Sequence, residues 1–266
     1  FNLLHDAIKG KDPSVKLIST AWWRADSPSM ERTFRALDGK ADYWDYHPWV
    51  DQLASGREVE AELRRMRELF LRWNPSTTMK CAIFEENGNR HDMQRVLGHV
   101  TLQNAVRRMG DFVLTSCAAN ALQPYRQNDN GWDQGQVFFT PSQVWGMPPY
   151  YAQQMAAAHH RPLTVGCGVE GADGVLDVTA TRSREAGSVV LHIANTGAEP
   201  LRVGLRVDGM GKVSQARMVS LSGDLDAVNT PEEPRRIAPV GRELPARAAQ
   251  TVDIAPYSYT IVVLDE

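Results

Sequence analysis

The stretch Lys80-Cys81-Ala82-Ile83-Phe84-Glu85-Glu86-Asn87-Gly88-Asn89 constrains this chain more than any other. A short apolar run ends abruptly in two carboxylates, an amide and a glycine, and helical patterns flank it on both sides. A buried parallel strand reads this way when its C-terminal end opens onto a site. Side chains alternate across a strand, so Ala82, Phe84 and Glu86 are expected on one face and Cys81, Ile83 and Glu85 on the other. Only one glutamate can then point where Phe84 points, and Glu86 is the candidate for chemistry. The other reading of the local pattern is a pair of solvated loop carboxylates.

The flanking pattern supports a parallel sheet. Phe1, Leu4, Ala7 and Ile8 share a helical face, as though the chain begins inside a helix, and Gly10 to Pro13 ends it. Strands are expected over 15–20, 41–49 and 111–120, with helices over 29–37, 58–73, 92–109 and 148–159. In the clearest helix Val59, Leu63, Met66, Phe70 and Trp73 recur at spacings of three and four. Met93, Val96, Leu97 and Val100 mark a second stripe, with Asp92 at its N-terminal end. A long loop is expected after residue 120. This alternation implies crossover helices between parallel strands.

From about residue 170 the texture changes. Leu201, Val203, Leu205 and Val207 alternate with Arg202, Gly204, Arg206 and Asp208, and Val189, Leu191 and Ile193 alternate likewise. That is the pattern of an antiparallel β-sandwich. The expected division is 1–163 and 164–266.

Composition narrows the function classes. The net charge is -3 with no basic block, so there is no electrostatic footprint for nucleic acid. No apolar window approaches the roughly 18 residues of a membrane span. Cys81, Cys117 and Cys167 fit neither a disulfide framework nor a zinc knuckle; they are expected as buried thiols, Cys81 and Cys117 within strands. There is no Gly-rich phosphate loop and no G-x-S-x-G elbow, and no cofactor is expected.

Four clusters fall at expected strand ends: Trp22-Trp23-Arg24, Asp45-Tyr46-His47-Pro48-Trp49, Glu85-Glu86-Asn87, and Asn120 with the later run Asn128 to Asp133, which includes Trp132. Carboxylates and aromatics after strand ends mark the active face of a (β/α)8 barrel, but this chain supplies only half the strands such a barrel needs. Aromatic faces, carboxylates and amides are also what sugar sites use. The competing readings are core packing for the tryptophans and a structural role for His47. His91 and Asp92 most simply serve a helix start, and His159-His160 a solvated helix end. A metal would have to recruit His47, Glu86, His91 and Asp92; no pair has zinc-motif spacing, and no metal is expected.

At these residues the chain resembles glycoside hydrolase family 51, the α-L-arabinofuranosidases. Asp45-Tyr46-His47-Pro48-Trp49 resembles the family's Asp-x-His-x-Tyr strand, with Trp49 in place of the tyrosine. Phe84-Glu85-Glu86 resembles its Phe-Asp-Glu run, followed here by Asn87-Gly88 rather than Trp-Asn. Arg108 to Asp111 with Ala118-Ala119-Asn120 is similar to the run into the last barrel strand, Pro148 to Tyr151 to the next helix, and Asp224 to Pro234 to a segment of the sandwich.

The resemblance implies the second half of a (β/α)8 TIM barrel followed by an antiparallel, jelly-roll-like β-sandwich. It implies a retaining hydrolase releasing terminal non-reducing α-L-arabinofuranosyl residues from arabinan, arabinoxylan or oligosaccharides. Glu86 is then the nucleophile. His47, Trp49, Trp22, Asn87 and Trp132 are then substrate-binding, with His47 helping to set the charge state of Glu86 or holding substrate. No residue of this chain matches the acid/base glutamate. A second chain or segment carrying the first half of the barrel is expected to supply it, and the assembly is expected to be a homo-oligomer. The alternatives are the same scaffold acting on xylosides or β-glucans, and a non-catalytic carbohydrate-binding or scaffold protein. Compartment is not legible.

Overall fold

A computed structural model of the chain describes residues 1–20, 27–127, 133–172, 174–185 and 187–266. After α1 (Asn2–Lys11), strand and helix alternate: β1 (Ile18–Thr20), α2 (Pro28–Leu37), β2 (Tyr43–Asp45), α3 (Ser55–Trp73), β3 (Lys80–Glu86), α4 (Met93–Arg108) and β4 (Val113–Ala118). The four strands form one parallel sheet in chain order. Among the described residues it does not close into a barrel, and β1 and β4 are its edges.

The helices start where the sequence allows. Ser27 accepts from the Ser29 N–H ahead of α2, and Pro28 needs no donor in that first turn. Asp92 accepts from the Gln94 and Arg95 N–H groups and caps α4. Val59, Leu63, Met66 and Phe70 of the expected α3 stripe are buried and Trp73 is partly so; with Phe34, Trp44, Cys81 and Ile83 they form the core on one face of the sheet. Phe34 and Phe70 stack there at 4.7 Å. On the opposite face Ile18, Phe84 and Leu114 remain exposed. Cys81 is buried in β3, but Cys117 on edge strand β4 and Cys167 in a connection are exposed, contrary to expectation. The apolar face of α1 is uncovered among the described residues.

Within the stretch expected as a loop after residue 120, three short strands form a small sheet, β5 (Leu122–Pro124), β6 (Val137–Phe139) and β7 (Val144–Gly146), while residues 128–132 lie outside the described residues. Its short strands carry Phe138 and Trp145, whose rings lie 6.1 Å apart over Met147. This aromatic knot supplies the apolar burial that a structureless loop would lack. Then α5 (Pro148–Ala158) leads to the antiparallel part.

The remaining strands are β8 (Leu163–Val165), β9 (Leu176–Arg182), β10 (Ser188–Asn195), β11 (Leu201–Arg206), β12 (Gln215–Ser222), β13 (Val240–Leu244), β14 (Ala249–Ile254) and β15 (Ser258–Asp265). Six of them form a sheet in the order β13-β12-β15-β10-β9-β8, and β11 pairs with β14. One face of the larger sheet packs Leu191, Ile193, Val262 and Leu264 on Leu205, Val252 and Ile254 of the pair. Its other face packs Val190, Ala194, Tyr259, Ile261 and Val263 on α4 and α5. With both faces covered, β15 reads as a continuous apolar run rather than an alternation.

Helix α4 therefore has no solvent side. It sends Met93, Val96, Leu97 and Val100 into the antiparallel sheet's core and Leu102 into the parallel sheet's core. Its fit is backbone-tight: a Cβ on Gly98 would lie 2.0 Å from the Val50 carbonyl oxygen. At its C-terminal end Arg108 bridges Glu60 at 2.6 Å and Asp177 at 3.0 Å, so α3, α4 and β9 share one ion network.

Two predictions follow from this packing. Gly98→Ala should lower stability by about 2–4 kcal/mol, because neither backbone can yield; a change in urea midpoint worth less than about 1 kcal/mol would mean the contact is soft. Burial, reinforced by Arg107, His159 and His160, pulls His192 down to about 2. The folded state thus keeps it neutral while the unfolded chain takes up a proton below about pH 6.5. Its contribution is present above that pH and is lost as pH falls, at up to about 1.4 kcal/mol per pH unit. Between pH 7 and 5 the urea midpoint should fall less steeply for His192→Gln than for the parent chain; equal slopes would contradict the assignment.

Candidate active site

The end of β3 separates its two glutamates, and not by simple alternation. Cys81 and Ile83 face the helices and Phe84 faces away, as expected. The pairing with β4 then shifts register between Ile83 and Glu86. This irregularity carries Glu86 to the helix side, where its side chain is fully enclosed. Glu85 stays on the open side with its side chain 41% exposed. A β-bulge re-aims side chains in just this way.

On the open side lie Asp45, His47 and Glu85. His47 Nε2 is 2.9 Å from Asp45 Oδ2, and its Nδ1 is 3.6 Å from Glu85 Oε2. The other oxygen of Asp45 accepts from the Phe84 N–H at 3.2 Å, tying the His47 segment to β3. The chain then runs parallel to the residues after Glu86. Asn87 N–H donates to the Pro48 carbonyl at 2.8 Å, and Val50 N–H to the Asn87 carbonyl at 2.9 Å. This places half-exposed Trp49 alongside Asn87. Asn87 is buried, and its Oδ1 has no partner among the described residues.

On the enclosed side Glu86 accepts from Ser116 through Oε1 and meets His99 through Oε2. Of the two partners expected for His47, Glu86 or substrate, Glu86 is not one here: the register shift puts the two on opposite faces, and His47 meets Asp45 and Glu85. Arg95 stands one turn before His99 on α4 and donates from Nε to His99 Nε2 at 2.9 Å. Its Nη1 donates to the carbonyls of Arg90 at 3.0 Å and Gln134 at 2.9 Å, while Nη2 has no partner among the described residues. Burial pulls Arg95 down to about 10, which leaves it cationic at neutral pH. Burial also pulls His99 down, against the pull of Glu86. Asp51 closes the turn by accepting from the Asn89 N–H at 2.8 Å and the Arg90 N–H at 3.1 Å. Gly88 is needed beneath it: a Cβ there would lie 2.5 Å from Asp51 Oδ1 and 2.8 Å from Arg95 Nε.

Of the residues singled out in the sequence, the structure brings His47, Trp49, Asn87 and Glu86 to one strand end, split between its two sides. Trp22 and Trp132 lie outside the described residues. Asp92 caps α4 as expected, and His91 sits beside it against Asp133 and the Gly135 carbonyl. The sequence reading passed over Arg95, His99 and Ser116. A signal existed for the first two. They stand four residues apart, interleaved with the apolar stripe of α4, where charged side chains are buried only when paired. Among the described residues no group of three His, Cys, Asp or Glu side chains is placed to hold a metal.

Removing the guanidinium would take a buried cation away from Asp51 and Glu86, the acids that act on it most strongly. Arg95→Met should cost about 3–5 kcal/mol by urea unfolding. A loss under about 1 kcal/mol would show that Arg95 is not what balances Glu86.

Comparison with known proteins places this arrangement. Residues 74–258 match the family described as the alpha-L-arabinofuranosidase C-terminal domain. No curated protein sequence matches the chain. Among solved structures, the thermostable GH51 alpha-L-arabinofuranosidase from Thermotoga petrophila superposes over 98% of this chain with a TM-score of 0.82 at 18% identity. A family 51 alpha-L-arabinofuranosidase from Bifidobacterium longum gives 0.79 over 98% at 15% identity. A GH44 xyloglucanase from Paenibacillus polymyxa gives 0.67 over 99% at 11% identity. The chain spans only 60%, 61% and 59% of these three proteins, so the shared fold covers a part of each. The family match extends over more than half of the sequence and runs from just before β3 to the start of β15: the chain belongs to the alpha-L-arabinofuranosidase C-terminal domain family.

Proposed function

We propose that this chain is the C-terminal part of a retaining glycoside hydrolase. Its action is to release terminal non-reducing α-L-arabinofuranosyl residues from arabinan- or arabinoxylan-type glycans. Residues 1–163 form the second half of a (β/α)8 barrel in this reading, and 164–266 the sandwich. The first half, with the acid/base glutamate, comes from a partner segment. The observation that carries the reading is the carboxylate-bearing end of β3, set in a parallel sheet that is covered on one face only. Ile18, Phe84 and Leu114 on the uncovered face are apolar surface of the kind a completed barrel would bury.

Glu86 is the nucleophile in this proposal. It attacks the anomeric carbon while the partner's carboxylic acid, about 5–5.5 Å away, protonates the departing oxygen. Water, deprotonated by that same residue, then releases the sugar. Ser116 and His99 each use one lone pair of the Glu86 carboxylate, whose side chain is enclosed in this structure. Half-exposed Trp49 stands beside the site, next to Asn87. A second reading assigns attack to Glu85. Its exposure beside His47 favours that reading, since Glu86 is enclosed here.

The test is hydrolysis of an aryl α-L-arabinofuranoside by the complete assembly. Glu86→Gln should lose about a thousandfold or more in kcat, and Glu85→Gln less than about tenfold. The reverse pattern would move the nucleophile to Glu85. Full activity in both variants would sink the hydrolase reading of this strand end. The fold is shared with a xyloglucanase, so aryl xylosides and β-glucosides belong in the same panel; faster turnover of either would replace arabinose as the substrate sugar.

A further inference from the structure

We propose that Arg95 and His99 form a buried relay that fixes His99 as the neutral Nδ1–H tautomer and thereby presents a permanent hydrogen-bond donor to the Glu86 carboxylate. This rests on Glu86 being the nucleophile only for its catalytic consequence; the tautomer itself follows from hydrogen-bond chemistry. A guanidinium has donors and no acceptor. Arg95 Nε–H points at His99 Nε2 from 2.9 Å, so that nitrogen must offer a lone pair. A neutral imidazole carries its one proton on the other nitrogen, and His99 Nδ1 faces Glu86 Oε2. Arg95 is held in place by its Nη1, which is anchored on the Arg90 and Gln134 carbonyls.

The charged and titratable groups around His99 are consistent with this. Glu86 approaches from β3, Arg95 from its own helix and Asp51 from the segment after β2. From β4 Ser116 donates to the other Glu86 oxygen. From α5 comes the neutral Gln153, whose Nε2 lies 3.4 Å from Nδ1 while its Oε1 accepts from Gln103 Nε2 at 2.6 Å; exchanging N and O in both amides keeps that bond and sets the Gln153 oxygen towards the His99 N–H. Protonating Nε2 would set a second N–H against the Arg95 N–H, and burial opposes the extra charge as well. Both oxygens of Glu86 thus accept from donors on neighbouring elements, Ser116 on β4 and His99 on α4, which holds the carboxylate in one orientation. His99 is a positioning residue here: it acts on the reaction through Glu86.

The tautomer can be read directly by 15N NMR of the complete assembly labelled at histidine, with His99 identified by difference from His99→Gln. The expected spectrum shows Nδ1 protonated and Nε2 bare at pH 8 and still so at about pH 6.5, the ordinary histidine midpoint. An Nε2–H tautomer, or titration of His99 near pH 6.5, would overturn the relay whatever Glu86 does. Kinetics test its consequence. His99→Leu should lower kcat by more than about tenfold with KM within about threefold, and His99→Gln, which can both donate and accept, should recover most of that loss. Equal losses in the two variants, or a loss confined to KM, would refute the positioning role. Full activity of Glu86→Gln would refute the nucleophile assignment instead, leaving the NMR result to stand alone.

Discussion

Helix α4 is enclosed on every side, and most of the molecule answers to that constraint. One flank lies on the core of the parallel sheet and another on the six-stranded antiparallel sheet. Its N-terminal half passes so close to the segment after β2 that only glycine fits at position 98. A helix without a solvent face would ordinarily be apolar throughout. This one buries Arg95, His99, Thr101 and Asn104 as well, and each has hydrogen-bond partners waiting. Burying such groups unpaired would cost several kcal/mol apiece. The positions of Glu86, Asp177 and the Gln134 carbonyl are therefore as much requirements of α4 as features of their own strands and turns.

How much of this the sequence disclosed depends on the kind of signal. The order of helices and strands to residue 120 was legible, because apolar spacings of three and four stood out against short apolar runs. The stripe Val59, Leu63, Met66 and Phe70 is buried as read. Edge and connection environments were not legible, so Cys117 and Cys167 were misplaced as buried. The small sheet over residues 122–146 was missed because three-residue strands have too little length for a period to show. In β10 the reading found one face, Val189, Leu191 and Ile193; Val190 and Ala194 serve a second core that only tertiary packing reveals.

The site divided in the same way. That Glu85 and Glu86 must point in opposite directions followed from the pleat. Which one points to the open side did not, because the register shift between Ile83 and Glu86 reverses the expected sense and leaves no mark in composition. His47 was found by its aromatic strand, yet its partners proved to be Asp45 and Glu85. Arg95 and His99 were hidden by the habit of reading a helix for its apolar residues alone.

The face of the six-stranded sheet that packs on α4 has a consequence for how such proteins diversify. A sandwich joined by a linker could be traded between enzymes or deleted with little harm. Here Val190, Tyr259, Ile261 and Val263 are the floor on which α4 rests, and α4 is the wall behind Glu86. The antiparallel portion is thus foundation rather than accessory. Substitutions that shift β10 or β15 would be felt at a carboxylate they never touch, because they move the helix that stands behind it.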